Sequence, residues 1–325
     1  MARRDIIVIG ASAGGIAVLE TILSALPWDF QVSLFVVVHT SEESPGLLPE
    51  ILNRSSRLPV LYAMHNAPVL PSRVYIAPSG ARHMLLERGR IRLLPGPREN
   101  RTRPAIDALF RSASHAYGSE VIGVVLTGNL DDGAAGLADI KIRGGIAVVQ
   151  DPEEAMAPSM PATAIETAEV DYVLRAESIA PKLVELAANE AVERLWPSNG
   201  EKNMVPAGLT YSCPECGGVL KEIVENGIER YRCRVGHLYS AESLLADQGL
   251  AVEKALWAAI RTLEEQAEFA ERLADSSRKK QHLRLVKRFS DKAQVSRENA
   301  SVLRDLLQKA ADRVFETPAE RTATD

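Results

Sequence analysis

Ile6-Ile7-Val8-Ile9-Gly10-Ala11-Ser12-Ala13-Gly14-Gly15-Ile16 is the stretch that decides the fold of this 325-residue chain. Its β-branched run closing on glycine reads as a strand buried on both faces, and the segment from Ile16 to Leu26 has the apolar spacing of a helix. Ser12 therefore sits in a small-residue turn at the carboxyl end of a strand, the edge where open α/β sheets gather ligands and chemistry. Two later runs repeat the pattern. Leu34-Phe35-Val36-Val37-Val38 ends in His39, and Val121-Ile122-Gly123-Val124-Val125-Leu126 runs into Thr127-Gly128-Asn129-Leu130-Asp131-Asp132-Gly133. Near-continuous apolar runs are what parallel strands require, and right-handed crossovers bring their carboxyl ends together. The expected class is α/β: a doubly wound, mostly parallel, Rossmann-like sheet, with an antiparallel edge around Met84-Leu85-Leu86-Glu87-Arg88-Gly89-Arg90-Ile91.

At that carboxyl edge a nucleophile, a base and an orienting carboxylate come from three different strand ends. Taken singly, each residue has a plainer reading: a serine in a glycine turn, a hydrogen-bonded histidine, an aspartate capping a turn or helix. Their coincidence on one edge is what points to Ser-His-Asp chemistry. The chain order Ser, His, Asp differs from the Ser, Asp, His order of α/β-hydrolases. A dinucleotide fingerprint does not fit, because Ser12 replaces the second glycine, and no Lys-Ser or Lys-Thr pair follows as a phosphate loop needs. Arg3 and Arg4 precede an apolar stretch, but Asp5 interrupts it, so the segment suits a first strand better than a signal peptide.

The residues so far, followed by Val74-Tyr75-Ile76-Ala77-Pro78, Asn100-Arg101-Thr102-Arg103-Pro104-Ala105-Ile106-Asp107-Ala108-Leu109-Phe110-Arg111-Ser112, Gln150-Asp151, Met160-Pro161 and Val170-Asp171, make an ordered series over most of the first 175 positions. It resembles the catalytic domain of the CheB-type protein-glutamate methylesterases of chemotaxis. The resemblance implies Ser12 as nucleophile, His39 as general base, Asp132 as the third member because it directly precedes the glycine, and the backbone amide of Asn129 as oxyanion donor. It also implies hydrolysis of glutamyl methyl esters on a chemoreceptor-like protein partner, with glutamine deamidation by the same route, no catalytic cofactor and a cytoplasmic location. Ala13 stands where the family usually has threonine, Thr40 where it has methionine, and Asn129-Leu130 replaces a methionine-glycine pair, so Leu130 is expected to alter the loop's dihedrals. The family's full-length members carry an N-terminal receiver domain, which is not expected ahead of Ser12. A weakened signalling scaffold and a hydrolase for another ester are the alternatives these substitutions leave open.

The composition changes after Trp196. The catalytic domain is expected over 1–196, a polar linker over 197–208, a zinc-ribbon-like module over 209–240, a helical hairpin over 241–315 and a disordered tail over 316–325. Cys213-Pro214-Glu215-Cys216 and Cys233-Arg234-Val235-Gly236-His237 contain all three cysteines of the chain, and the set Cys213, Cys216, Cys233 and His237 suits a structural zinc ion with no open position for catalysis. Gly217-Gly218 permits the first knuckle's turn, and Asn226-Gly227 a hairpin between the knuckles. Apolar residues at three- and four-residue spacing continue from Leu244 to Ala270 and from Val286 to Leu306, with a turn expected at Ser276-Ser277. Such an amphipathic pair is expected to dock on the catalytic domain or to self-associate.

Composition narrows the partners. The net charge of −5 opposes a main role in nonspecific nucleic-acid binding, even with Arg230, Arg232 and Arg234 in the knuckle module. No stretch approaches the roughly 20 apolar residues of a membrane-spanning helix.

Overall fold

A computed structural model of the chain describes residues 3–40, 46–80, 82–189, 203–204, 211–225 and 227–315. The expected linker lies outside the described residues except for 203–204, as does the whole of the expected tail. By contact density the chain divides into Met1–Leu245 and Ala246–Asp325, so the knuckle module belongs to the same compact unit as the sheet.

The quoted stretch forms β1 (Ile6–Ala11) and α1 (Gly15–Ala25), followed by β2 (Ser33–Val38), α2 (Leu48–Asn53), β3 (Val60–Tyr62) and β4 (Arg73–Ile76). A hairpin, β5 (Arg82–Glu87) and β6 (Arg90–Pro95), precedes α3 (Ile106–Tyr117), β7 (Val121–Val125), α4 (Ala134–Ile142), β8 (Ile146–Gln150), α5 (Ser159–Thr167), β9 (Tyr172–Leu174) and α6 (Ala176–Ala188). The seven-stranded sheet runs β3-β4-β2-β1-β7-β8-β9, parallel throughout. Its chain path leaves β1 toward β2 and leaves β7 toward β8, so the strand order reverses between β1 and β7. That is where a doubly wound sheet opens a crevice.

Both faces of the sheet are covered, which explains the continuous apolar runs. Ile6 and Val8 point into a core layer with Leu109, Phe110 and Leu137, while Ile7, Ile9 and Ala11 point into the opposite layer with Leu19, Leu23 and Leu183. Gly10 is required at the crossing of β1 and α3, because a Cβ there would lie 2.3 Å from Ile106 Cγ2. Gly10→Ala should therefore cost about 1–3 kcal/mol through overpacking and lower the melting temperature by several degrees, as a thermal melt would register.

Two expectations are corrected. The segment around Met84–Ile91 is not an antiparallel edge of the central sheet; β5 and β6 form their own two-stranded hairpin, and β3 and β9 are the sheet's edges. Its alternation of buried and exposed residues provides a single apolar face, and Met84, Leu86, Ile91 and Leu93 bury that face in the α3 layer. In the second unit, Ser276 and Ser277 lie within α7 (Ala241–Lys279), whose connection to α8 (Leu283–Phe315) falls three residues later, with Gln281 at φ 59. Ser277 is buried at 7 % exposure, along the same stripe as Ala267, Ala270 and Ala274. Ala293, Ser296 and Ala300 of α8 are buried too, and the helices run antiparallel, with Arg304 paired to Glu264 and Arg297 to Glu271. Small side chains fill this seam, which leaves Val252, Val302 and Leu306 of the expected apolar stripe exposed. Among the described residues no helix is long and apolar enough to cross a membrane.

Within the first unit, after α6, β10 (Asn203–Met204), β11 (Tyr211–Ser212), β12 (Val219–Glu225), β13 (Ile228–Cys233) and β14 (Leu238–Tyr239) make a small antiparallel sheet.

Candidate active site

Parallel pairing places Ala11 of β1 opposite Val38 of β2, and the His39 amide donates to Ala11 O at 3.1 Å. Ser12 and His39 are thus the next residues on neighbouring strands. The Ser12 amide donates to Thr127 O at 2.9 Å, tying the turn across the crevice to the strand on the other side, and Gly14 adopts the left-handed φ of 77 that lets α1 begin. His39 Nε2 lies 2.9 Å from Asp132 Oδ2, with the His39 side chain 16 % and the Asp132 side chain 3 % exposed. The sequence-predicted residues Ser12, His39 and Asp132 therefore converge from β1, β2 and the loop after β7.

The Asp132 carboxylate is the hub of this edge. Oδ2 also accepts from the Ile106 amide at 2.7 Å and from Thr102 Oγ1 at 3.1 Å, and Oδ1 accepts from the Asp107 amide at 3.1 Å and Asn100 Nδ2 at 3.3 Å. Two of these donors are the first amides of α3, where unpaired N–H groups and the helix dipole favour an anion. Burial pushes the Asp132 carboxyl up, but the hydrogen bond and charge of His39 and those two amides outweigh it and hold the group below its usual range.

Asn100, Thr102 and Asp107 were not singled out by sequence reasoning, although all three fall in the quoted Asn100–Ser112 run. Asp107 is a second buried carboxylate beside the first. Its Oδ1 accepts from the Gly133 amide at 3.1 Å and the Gly136 amide at 2.7 Å, and its Oδ2 from Asn100 Nδ2 at 2.9 Å. Burial, opposed by the charge of Arg230 and joined by that of Asp132, pushes its carboxyl up to about 7, with the Gly136 amide and Arg111 also pulling it down. Below about pH 4 both folded and unfolded chains hold this proton. From there to about 7 only the folded chain does, so stability from this group falls as pH rises, by about 1 kcal/mol per unit. Asp107→Asn should flatten that slope, read from urea midpoints at pH 5 and pH 7.

The loop after β7 also bears on the site. Gly128 donates its amide to Ala157 O at 3.0 Å and Leu130 donates to Ser159 Oγ at 2.9 Å. The intervening Asn129 amide has no partner among the described residues. Leu130 keeps a left-handed φ of 64, so the residue does not change the dihedral region a glycine would supply there; it occupies it at some cost. Gly128 must be glycine, because a Cβ would lie 2.8 Å from Ser12 Cβ. Beside His39 opens a cavity of about 180 Å³ edged by Thr40, Arg98, Arg101, Thr102 and Arg103. Arg98 faces Glu215 at 3.7 Å, whereas Arg103 donates to the carbonyls of Gly80 and Gly96.

Cys213, Cys216, Cys233 and His237 bring their ligand atoms within 4.8 Å of one another. Cys216 Sγ lies 3.7 Å from Cys233 Sγ, and His237 Nδ1 lies 3.4 Å from Cys233 Sγ and 3.6 Å from Cys213 Sγ. A tetrahedral zinc ion with ordinary bond lengths sets S···S edges of about 3.8 Å and S···N edges of about 3.6 Å. The donor set fits that ion in chemistry and in spacing, and the separations are far too long for a disulfide. Each knuckle is closed by backbone bonds, Gly217 N to Cys213 O and Gly236 N to Cys233 O.

The family model described as CheB methylesterase matches residues 7–183. A putative protein-glutamate methylesterase/protein-glutamine glutaminase of Leptospira interrogans is 41% identical over 191 residues, covering 58% of this chain and 98% of that protein. One named protein-glutamate methylesterase/protein-glutamine glutaminase 1 of Syntrophus aciditrophicus is 38% identical over 192 residues, covering 58% of this chain but only 54% of its own length. The crystal structure of the Thermotoga maritima CheB methylesterase catalytic domain superposes with a TM-score of 0.54 at 35% identity, covering 57% of this chain and 99% of that one.

Proposed function

The chain belongs to the CheB methylesterase family, and from that premise we propose that it is a serine hydrolase removing methyl esters from glutamyl side chains of a chemoreceptor-like protein. The observation that carries the reading is the 2.9 Å contact of His39 Nε2 with Asp132 Oδ2, with Ser12 on the adjacent strand end. Asp132 takes the Nε2 proton's hydrogen bond, so Nδ1 is the nitrogen left to receive the proton of Ser12. Ser12 Oγ then attacks the ester carbonyl, and the Asn129 amide donates to the developing oxyanion, a contribution on the order of 3 kcal/mol per donor. The imidazolium returns its proton to the leaving methoxide, methanol departs, and water, deprotonated by His39, cleaves the acyl-enzyme to a glutamate. With a glutamine side chain the same steps release ammonia.

The arginines beside His39 suit a substrate segment rich in carboxylates, as a helix carrying several glutamates would be. No cofactor enters these steps. Cys213, Cys216, Cys233 and His237 would hold a structural zinc ion that organises the knuckle module, and a cytoplasmic setting suits both free thiolates and the cytoplasmic part of a receptor. Receptor-bearing membranes carrying radiolabelled methyl esters provide the test. Release of labelled methanol in proportion to added protein is expected, and absence of release would defeat the reading in favour of another ester.

A further inference from the structure

The knuckle module reaches the catalytic edge directly. The Asn100 amide donates to Leu238 O at 2.9 Å, the Leu238 amide to Arg98 O at 3.3 Å, and the Ser240 amide to Asn100 Oδ1 at 3.1 Å. Asn100 is 6 % exposed and adopts φ 46; its amide group spans from the module to both carboxylates. From β13, Arg230 enters the same interior at 4 % exposure, its Nη2 lying 3.8 Å from Asp107 Oδ2. A buried cation so placed is costly unless its charge is matched, and Asp107 is its match.

We infer that Arg230 is a positioning residue for the Asp132–His39 pair, acting through Asp107 and Asn100. This rests on the proposed esterase reading and adds to it a role for residues beyond the family match. With Arg230 beside it, Asp107 reaches its ionised form near neutral pH; its Oδ2 is then an acceptor, and Asn100 Nδ2 lies between two acceptors, Asp107 Oδ2 and Asp132 Oδ1. Without the cation, Asp107 holds its proton, and an O–H then faces the Asn100 N–H. Two donors cannot share that contact, so the Asn100 amide shifts, loosening its hold on Asp132 and on Ser240. The groups facing this cluster are His39 and Asp131 toward Asp132, and Arg230, Arg111 and Asp132 toward Asp107.

The test uses the full chain. Arg230→Gln should lower kcat roughly 10- to 100-fold at pH 7 with little change in KM, the scale of a displaced catalytic group. Activity should recover toward pH 9, where Asp107 ionises without help. Asp107→Asn, whose amide presents a permanent donor or strips the Gly133 and Gly136 amides of theirs, should be impaired at both pH values, and the double variant should be no worse than Asp107→Asn. Arg230→Lys should retain most activity, and Arg232→Gln, which loses only its pairing with Glu225 on the module, should match the parent. A folded Arg230→Gln with parental kcat, a loss that does not recover with pH, or additive losses in the double variant would each overturn the inference. If Arg230→Gln melts below the assay temperature, Arg230→Met, of similar length and without charge, is read by the same pH criterion; should both melt, a folded Arg230→Lys decides, near-parental activity supporting the inference and loss of activity at pH 7 and pH 9 alike overturning it. If the parent releases no methanol, the downfield proton of the His39 Nε2–H···Asp132 bond serves instead. Its loss in Arg230→Gln at pH 7 and return at pH 9 support the inference, and an unchanged signal refutes it.

Discussion

Replacing Ser12 with alanine is expected to reduce methanol release by about 10⁶-fold in kcat, the scale seen when a serine nucleophile is removed from a triad. The fold should not register the change. Ser12 is held by its backbone, the amide donating to Thr127 O at 2.9 Å and the carbonyl accepting from Gly15 N at 2.9 Å, and an alanine keeps both bonds. The melting temperature of Ser12→Ala should therefore stay within a degree or so of the parent. His39→Ala should lose a similar factor, and the double variant no more than either single one, because the members act as a unit. Residual hydrolysis in Ser12→Ala near the parental rate would place the nucleophile elsewhere. Equal destabilisation of both single variants would mean that they serve packing rather than chemistry.

How legible the site was in the sequence depends on how local each signal is. Ser12, His39 and Asp132 stand at the ends of runs whose burial on both faces is written in consecutive apolar residues, so the parallel sheet and its carboxyl edge could be read directly. The β5–β6 hairpin was harder. Its alternation announces one buried face, but nothing local says whether that face meets the central sheet's edge or the surface of α3. The serine pair inside α7 looked like a turn because serine competes for backbone hydrogen bonds, yet a small side chain is also what a close helix seam admits.

The polar hub around Asp132 had no periodic signature, although Asn100, Thr102 and Asp107 fall in the Asn100–Ser112 run. Asn100 gathers partners from positions 107, 132, 238 and 240, and a hydrogen-bond network that joins residues over 100 apart leaves no periodicity to detect. Arg230 reads in sequence like Arg232 two residues on, since both fall on the same face of β13 by alternation. Only Asp107, itself buried, distinguishes the inner arginine from its half-buried neighbour, which pairs with Glu225.

Metal removal should show how far the knuckle module depends on its ligands. Its buried cluster holds Cys213, Leu220, Cys233, Tyr239 and Leu244, and at about 1.5–3 kcal/mol per large apolar side chain this cannot offset the ordering of some thirty residues. A zinc ion bound by such a set contributes about 10–16 kcal/mol in zinc-finger peptides, enough to decide whether the module folds. One equivalent of zinc per chain is therefore expected, lost in Cys213→Ser and on exposure to a strong chelator. The two core layers of the central sheet are built from residues before 190, with Ile228 of the module packed only at the margin, so the main thermal transition should persist. Methanol release should nonetheless fall, because Leu238, Ser240 and Arg230 leave Asn100 and Asp107 together when the module opens. Full zinc content in Cys213→Ser would put the ion elsewhere. Undiminished hydrolysis by a metal-free protein whose sheet still melts as before would show that the catalytic edge holds its geometry without the module, and would remove the basis for a positioning role of Arg230.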